Sequence, residues 1–83
     1  MVIDTGGNVG IGTTAPNNKL HIYNGNSGAS YSSADVVIED DDDVWLSLLS
    51  PNNVTGRIIF GDPESPIVGQ IIYSHSSDYM RFR

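Results

Sequence analysis

Nowhere in this sequence do more than three or four apolar residues run together before a turn-forming or charged residue breaks the run. A packed amphipathic helix needs an apolar stripe sustained over several turns, and a membrane span needs about 20 apolar residues in succession. Short strands with frequent turns are what this pattern permits. The residue types agree, because 7 Val and 9 Ile outnumber 4 Leu and 3 Ala, and β-branched side chains favour a pleated surface over a helix. Gly, Pro, Asn, Ser and Asp supply 38 of the 83 residues, and these are the types that build turns. The expected class is all-β.

A chain this short is one small domain or part of a longer protein, and it buries too little surface to offset its ordering entropy comfortably. Small folds usually gain support from disulfides, a structural metal or self-association. With no cysteine, neither a disulfide nor a thiolate zinc site is open to it, so oligomerisation is the expected support. Four basic against ten acidic side chains give a formal charge of −6, which repels phosphate backbones and anionic lipid surfaces. Nucleic acid and membrane insertion are therefore not expected. Residues 1–4 carry neither a basic stretch nor a long apolar stretch, so no secretory signal is expected there.

Residues 1–23 alternate short apolar bursts with turn clusters at Gly6-Gly7-Asn8 and Pro16-Asn17-Asn18. Alternation places Leu20 and Ile22 on one face and Lys19, His21 and Tyr23 on the other. Residues 24–33 are polar and contain Gly25 and Gly28, which suggests a linker or long loop. Residues 34–83 carry five further strand signals, at 34–39, 44–49, 57–60, 68–73 and 79–82, and their regular turn spacing predicts antiparallel hairpins in one small module. The signal at Val44-Trp45-Leu46-Ser47-Leu48-Leu49 is ambiguous: a strand is favoured, but the acidic run before it and Pro51 after it also suit a helix. As a strand it would be apolar on both faces, and both would need covering.

At Gly7-Asn8-Val9-Gly10-Ile11-Gly12-Thr13-Thr14-Ala15-Pro16, followed by Lys19-Leu20-His21-Ile22, the sequence resembles a repeat common in bacteriophage tail fibres and tail spikes. Segments around Gly56-Arg57-Ile58-Ile59-Phe60-Gly61, Gly69-Gln70-Ile71-Ile72-Tyr73-Ser74-His75 and Asp78-Tyr79-Met80-Arg81-Phe82 are similar to parts of the same fibres, which often lie upstream of a self-cleaving chaperone domain. The resemblance covers roughly half the chain and leaves residues 24–53 without a matching motif. It implies a homotrimer, a trimeric fibre-like β-architecture of short antiparallel strands, and no enzymatic work in this part. The chaperone's catalytic Ser and Lys are not matched here, so self-cleavage is assigned to no residue. Gly10 and Gly12 suit either backbone crowding near a threefold axis or an ordinary tight turn.

Other patterns invite chemistry and favour bland readings. Gly10-x-Gly12-x-x-Ala15 matches a dinucleotide fingerprint as a string, but Pro16-Asn17-Asn18 leads into a strand pattern instead of the helix such a site needs. Glu39, Asp40, Asp41, Asp42 and Asp43 offer oxygen ligands for a hard cation without the spacing that wraps one; a solvated loop is the expected reading. His21 and His75 are read as surface or packing residues. Ser74, His75 and Asp78 fall within five residues of one another on a turn, which does not converge like a triad. Trp45, Tyr73, Tyr79 and Phe82 suit sugar stacking but are expected to pack in a core. Arg57, Arg81 and Arg83 are expected to pair with acidic loops of the same or a neighbouring chain. Asn53-Val54-Thr55 fits an N-glycosylation pattern that would be idle in a bacterium.

No catalytic, cofactor-binding or metal-binding residue is therefore assigned. The leading expectation is a structural segment of a trimeric phage tail fibre in the virion, contacting adjoining fibre segments and contributing to adhesion at a host-surface glycan. The competing expectation is a monomeric carbohydrate-binding β-sandwich.

Overall fold

In the computed structural model, which describes residues 1–83, seven short strands form two separate sheets and there is no helix. The chain is all-β. It divides into two units, Met1–Trp45 and Leu46–Arg83.

The first unit holds β1 (Val2–Ile3), β2 (Val9–Ile11), β3 (Leu20–Tyr23) and β4 (Val36–Glu39), in that order across the sheet. β1 and β2 form a hairpin. Its turn is closed by Asp4, whose Oδ1 accepts hydrogen bonds from the backbone N–H groups of Gly6 and Asn8, both at 2.9 Å. Gly7 follows in the left-handed region at φ 82°, the glycine bulge that lets a three-residue loop keep the strand twist.

β2, β3 and β4 then run parallel, in the register Val9–Leu20–Val36, Gly10–His21–Val37 and Ile11–Ile22–Ile38. Two of the five strand pairings are thus parallel where hairpins alone were expected. Parallel neighbours need crossovers, and residues 12–19 and 24–35 provide them. Residues 24–33, expected as a linker or loop, are a pinned crossover. Asn18 is 4% exposed, and its Nδ2 donates to the carbonyl oxygens of Tyr31 at 2.8 Å and Ala34 at 2.6 Å. Ser27 donates through its N–H and its hydroxyl to Glu39.

The expected module of residues 34–83 is not one sheet. β4 pairs with β3, to which the second crossover returns the chain. Residues 44–49 are neither strand nor helix. The apolar pattern for a strand is present, but no strand of this chain pairs with its backbone, and a helix this short does not sustain itself without packing.

The second unit is an antiparallel meander of β5 (Thr55–Phe60), β6 (Gly69–Ser74) and β7 (Tyr79–Phe82). Its β6–β7 turn places Asp78 at φ 51°, a left-handed position that Asp tolerates better than most residues.

Candidate interaction surface

Side-chain alternation gives each sheet one bare apolar face. In the first sheet, Ile3 stands opposite Val9, and Val9 aligns with Leu20 and Val36, while Ile11 aligns with Ile22 and Ile38. These residues share one face, and Ile3, Ile11 and Val36 are exposed. The opposite face carries Gly10, His21, Val37, Tyr23 and Glu39 and is covered by the chain's own crossovers. Parallel strands ordinarily have both faces covered, and here one is bare.

The second sheet repeats the arrangement. Ile58, Ile71 and Phe82 align across its three strands, as do Gly56, Tyr73 and Met80, with Phe60 opposite Gly69. Leu48, Ile58, Ile71, Tyr73, His75 and Met80 line a shallow open groove of about 200 Å³ on this face. Phe82 is 75% exposed and Met80 63%. The other face carries Arg57, Ile72 and Arg81 in one row and Thr55, Ser74 and Tyr79 in the next.

The result is a chain with almost no interior. Among Val, Leu, Ile, Met and aromatic side chains only Ile72, at 1% exposure, is buried. The chain exposes 6419 Å². Apolar patches of this kind mark interaction surfaces in soluble proteins.

The buried groups in the first unit are polar. His21 is 4% exposed, its Nε2 lies 2.8 Å from Glu39 Oε1, and its Nδ1 accepts the Asn17 N–H at 3.4 Å. Because Nδ1 accepts, Nε2 carries the proton and donates to Glu39. Tyr23 stands edge-on to the imidazole, with ring centroids 5.7 Å apart. The Ser27 N–H bond, then His21, then the Ser27 hydroxyl hold the Glu39 carboxyl below its ordinary value of 4.5. This network follows from the register of β3 and β4, which no local pattern discloses. His21 is thus a packing residue whose side chain is fully committed.

The acidic run does not act as a unit. Glu39 turns inward, Asp40 Oδ2 accepts from Asn24 Nδ2 at 3.1 Å, and Asp41, Asp42 and Asp43 are exposed. The Asn24 bond lowers the Asp40 pKa. No three His, Asp or Glu side chains converge in a geometry to hold a metal ion.

Ser74, His75 and Asp78 do not come together either. Ser74 Oγ lies 3.3 Å from Ser76 Oγ, His75 packs edge-on against Tyr73 at 4.9 Å, and Asp78 accepts from the Tyr73 hydroxyl at 3.2 Å, which raises that phenol above its ordinary 10.0.

The glycines of the motif are explained within one chain. No helix follows them. A Cβ on Gly12, at φ 81°, would overlap the Tyr23 carbonyl oxygen, and one on Gly10 would stand 2.5 Å from that of Thr13.

The four aromatics expected in a core are not in one. Trp45 lies in the irregular stretch and is 82% exposed. Tyr73 and Phe82 share the bare face, and Tyr79 is on the other. Arg57 donates to Gln70 at 2.8 Å and to Thr55 at 3.1 Å rather than to a carboxylate. The only pairing of a basic side chain with a carboxylate in the chain is His21 with Glu39, so all three arginines lack an acidic partner in their own chain. Asn53 lies in an exposed turn.

Comparisons with protein-family models, curated proteins and solved structures find no match.

Proposed function

We propose that this chain is a structural segment of a trimeric bacteriophage tail fibre, in which three copies cover one another's bare sheet faces. The observation that carries the reading is the missing interior: Ile72 is the only large apolar side chain that the chain buries for itself. A monomeric sandwich needs an apolar core of its own, and one isoleucine does not supply it. Edge strands and bare apolar faces on a monomer are an aggregation hazard that a closed assembly removes.

The motif from Gly7 to Pro16 supports the fibre assignment through its resemblance. Its Val9 and Ile11, with Leu20 and Ile22, lie on the apolar face of the first sheet, Ile11 exposed and the other three half-buried. The role is mechanical: the segment holds its neighbours in the fibre in place, and a rigid trimer presents weak contacts to a host-surface glycan three at a time, which multiplies avidity without new contacts. The reading places the protein in the virion and assigns it no catalysis.

Light scattering tests the assembly. A mass near three times 8.9 kDa is expected, and a folded monomer that binds glycan would replace this reading with the sandwich.

A further inference from the structure

The stretch from Asp43 to Leu49 has the pattern of a strand and no strand to pair with. No backbone N–H or C=O of residues 44–49 meets another backbone group of the chain, and Trp45, Leu46 and Leu49 are the most exposed apolar residues near it. The second sheet in turn has an open edge at β7, since β6 occupies only one side of that strand.

We propose that residues 43–47 of one copy add as an antiparallel strand to the β7 edge of a second copy. The proposal rests on the multi-chain reading above and names the contact within it. The register that places Leu46 opposite Met80 also places Val44 opposite Phe82, Trp45 opposite Arg81, Ser47 opposite Tyr79 and Asp43 opposite Arg83. Val44 and Leu46 then extend the apolar rows Ile58–Ile71–Phe82 and Gly56–Tyr73–Met80. Trp45 lies beside Arg81 on the other face, where a guanidinium and an indole attract. A slip of one residue would turn every side chain to the wrong face. Addition of an extended segment to an exposed edge is a common recognition mode.

Within the second sheet, charge selects β7 over β5, the other edge strand. At β7 this register sets Asp43 opposite Arg83 and diagonal to Arg81, two cations with no carboxylate partner in their own chain. A hairpin onto β5 of the same chain would carry the run Asp40, Asp41, Asp42 and Asp43 to the end of β5 followed by Asp62 and Glu64, where like charges repel. Leu48 already lies over its own sheet, which anchors one end of the segment while residues 43–47 reach the partner. Passed from each copy to the next, this contact is head-to-tail, and three such contacts complete the trimer proposed above.

The absence of cysteine makes the test clean. Chains carrying only Leu46→Cys are mixed with chains carrying only Met80→Cys, unfolded and refolded together, oxidised, and run on a non-reducing gel beside light scattering of the unoxidised protein. Directly opposed strand residues lie within disulfide reach. The mixed pair is expected to yield a cross-linked dimer at ten-fold or more the level of either chain alone or of Leu46→Cys with Arg81→Cys, which faces the other way. Asp43→Cys with Arg83→Cys, at the solvent rim, repeats the test should Leu46→Cys impair folding. A trimeric mass without the mixed dimer would overturn the strand addition and leave the assembly standing; a monomeric mass would overturn both. A dominant bond within one chain carrying Leu46→Cys and Ile58→Cys would show the β5 hairpin and overturn the proposal.

Discussion

Glu39, at the end of β4, accepts a hydrogen bond at 2.8 Å from Nε2 of the buried His21 in β3, eighteen residues earlier. The second carboxylate oxygen holds Ser27 from the crossover between them. One side chain therefore ties two parallel strands and the irregular segment that joins them.

Acid should loosen this unit through Glu39. Its pKa is depressed in the folded chain, chiefly by the Ser27 N–H and then by His21, so its contribution is present above the ordinary value of 4.5 and disappears as pH falls through the lower folded value. Hydrogen exchange of the Ser27 amide is expected to accelerate over that interval. Glu39→Gln should flatten the acid response, and an unchanged profile in that variant would show that Glu39 is not its source.

Two glycines with nearly the same φ should respond differently to alanine. Gly7 at φ 82° has nothing within 4 Å of a new Cβ, whereas Gly12 at φ 81° has the Tyr23 carbonyl in the way. Gly7→Ala should cost about 1–2 kcal/mol, the usual cost of a left-handed alanine. Gly12→Ala should cost about 3 kcal/mol or more, because the strand must also move. Equal losses in denaturant unfolding would contradict the packing described around Tyr23.

Asn18→Ala removes the two bonds that hold the Tyr31 and Ala34 end of the second crossover and leaves those carbonyls without that donor. A loss of about 1–3 kcal/mol is expected, with faster exchange concentrated in residues 24–35. Uniform acceleration over both units would mean that the crossover is held elsewhere.

The bare face of the second sheet offers a sharper contrast. Phe82 is 75% exposed in the single chain, and a substitution at so open a site ordinarily shifts stability by no more than about 0.5 kcal/mol. In an assembly that covers it, Phe82→Asp would bury a carboxylate in an apolar contact. The variant should run at the mass of one chain while the parent runs at three. A variant that keeps the parent's mass would place Phe82 outside the interface.

Much of the fold is legible in the residues themselves. Period-two alternation marks β3 and β7, and the clusters at Gly6-Gly7-Asn8 and Ser74-His75-Ser76-Ser77-Asp78 mark the turns beside β2 and β7. What alternation does not carry is partner choice. The run Val36-Val37-Ile38 fits a parallel or an antiparallel neighbour equally well, and only the crossover pinned by Asn18 makes it parallel to β3. The pairing of His21 with Glu39 depends on that register and is hidden until it is known. Val44 to Leu49 read as a strand by composition, yet a strand requires an edge to bond, and within its own chain none takes it.

Assembly that supplies the interior couples folding to mass action, so the thermal midpoint should depend on protein concentration. Across a hundred-fold dilution, the midpoint of the 83-residue chain should fall steadily as trimer mass is lost. A midpoint that stays constant to nanomolar concentration, with a sharp cooperative transition at the mass of one chain, would contradict the account.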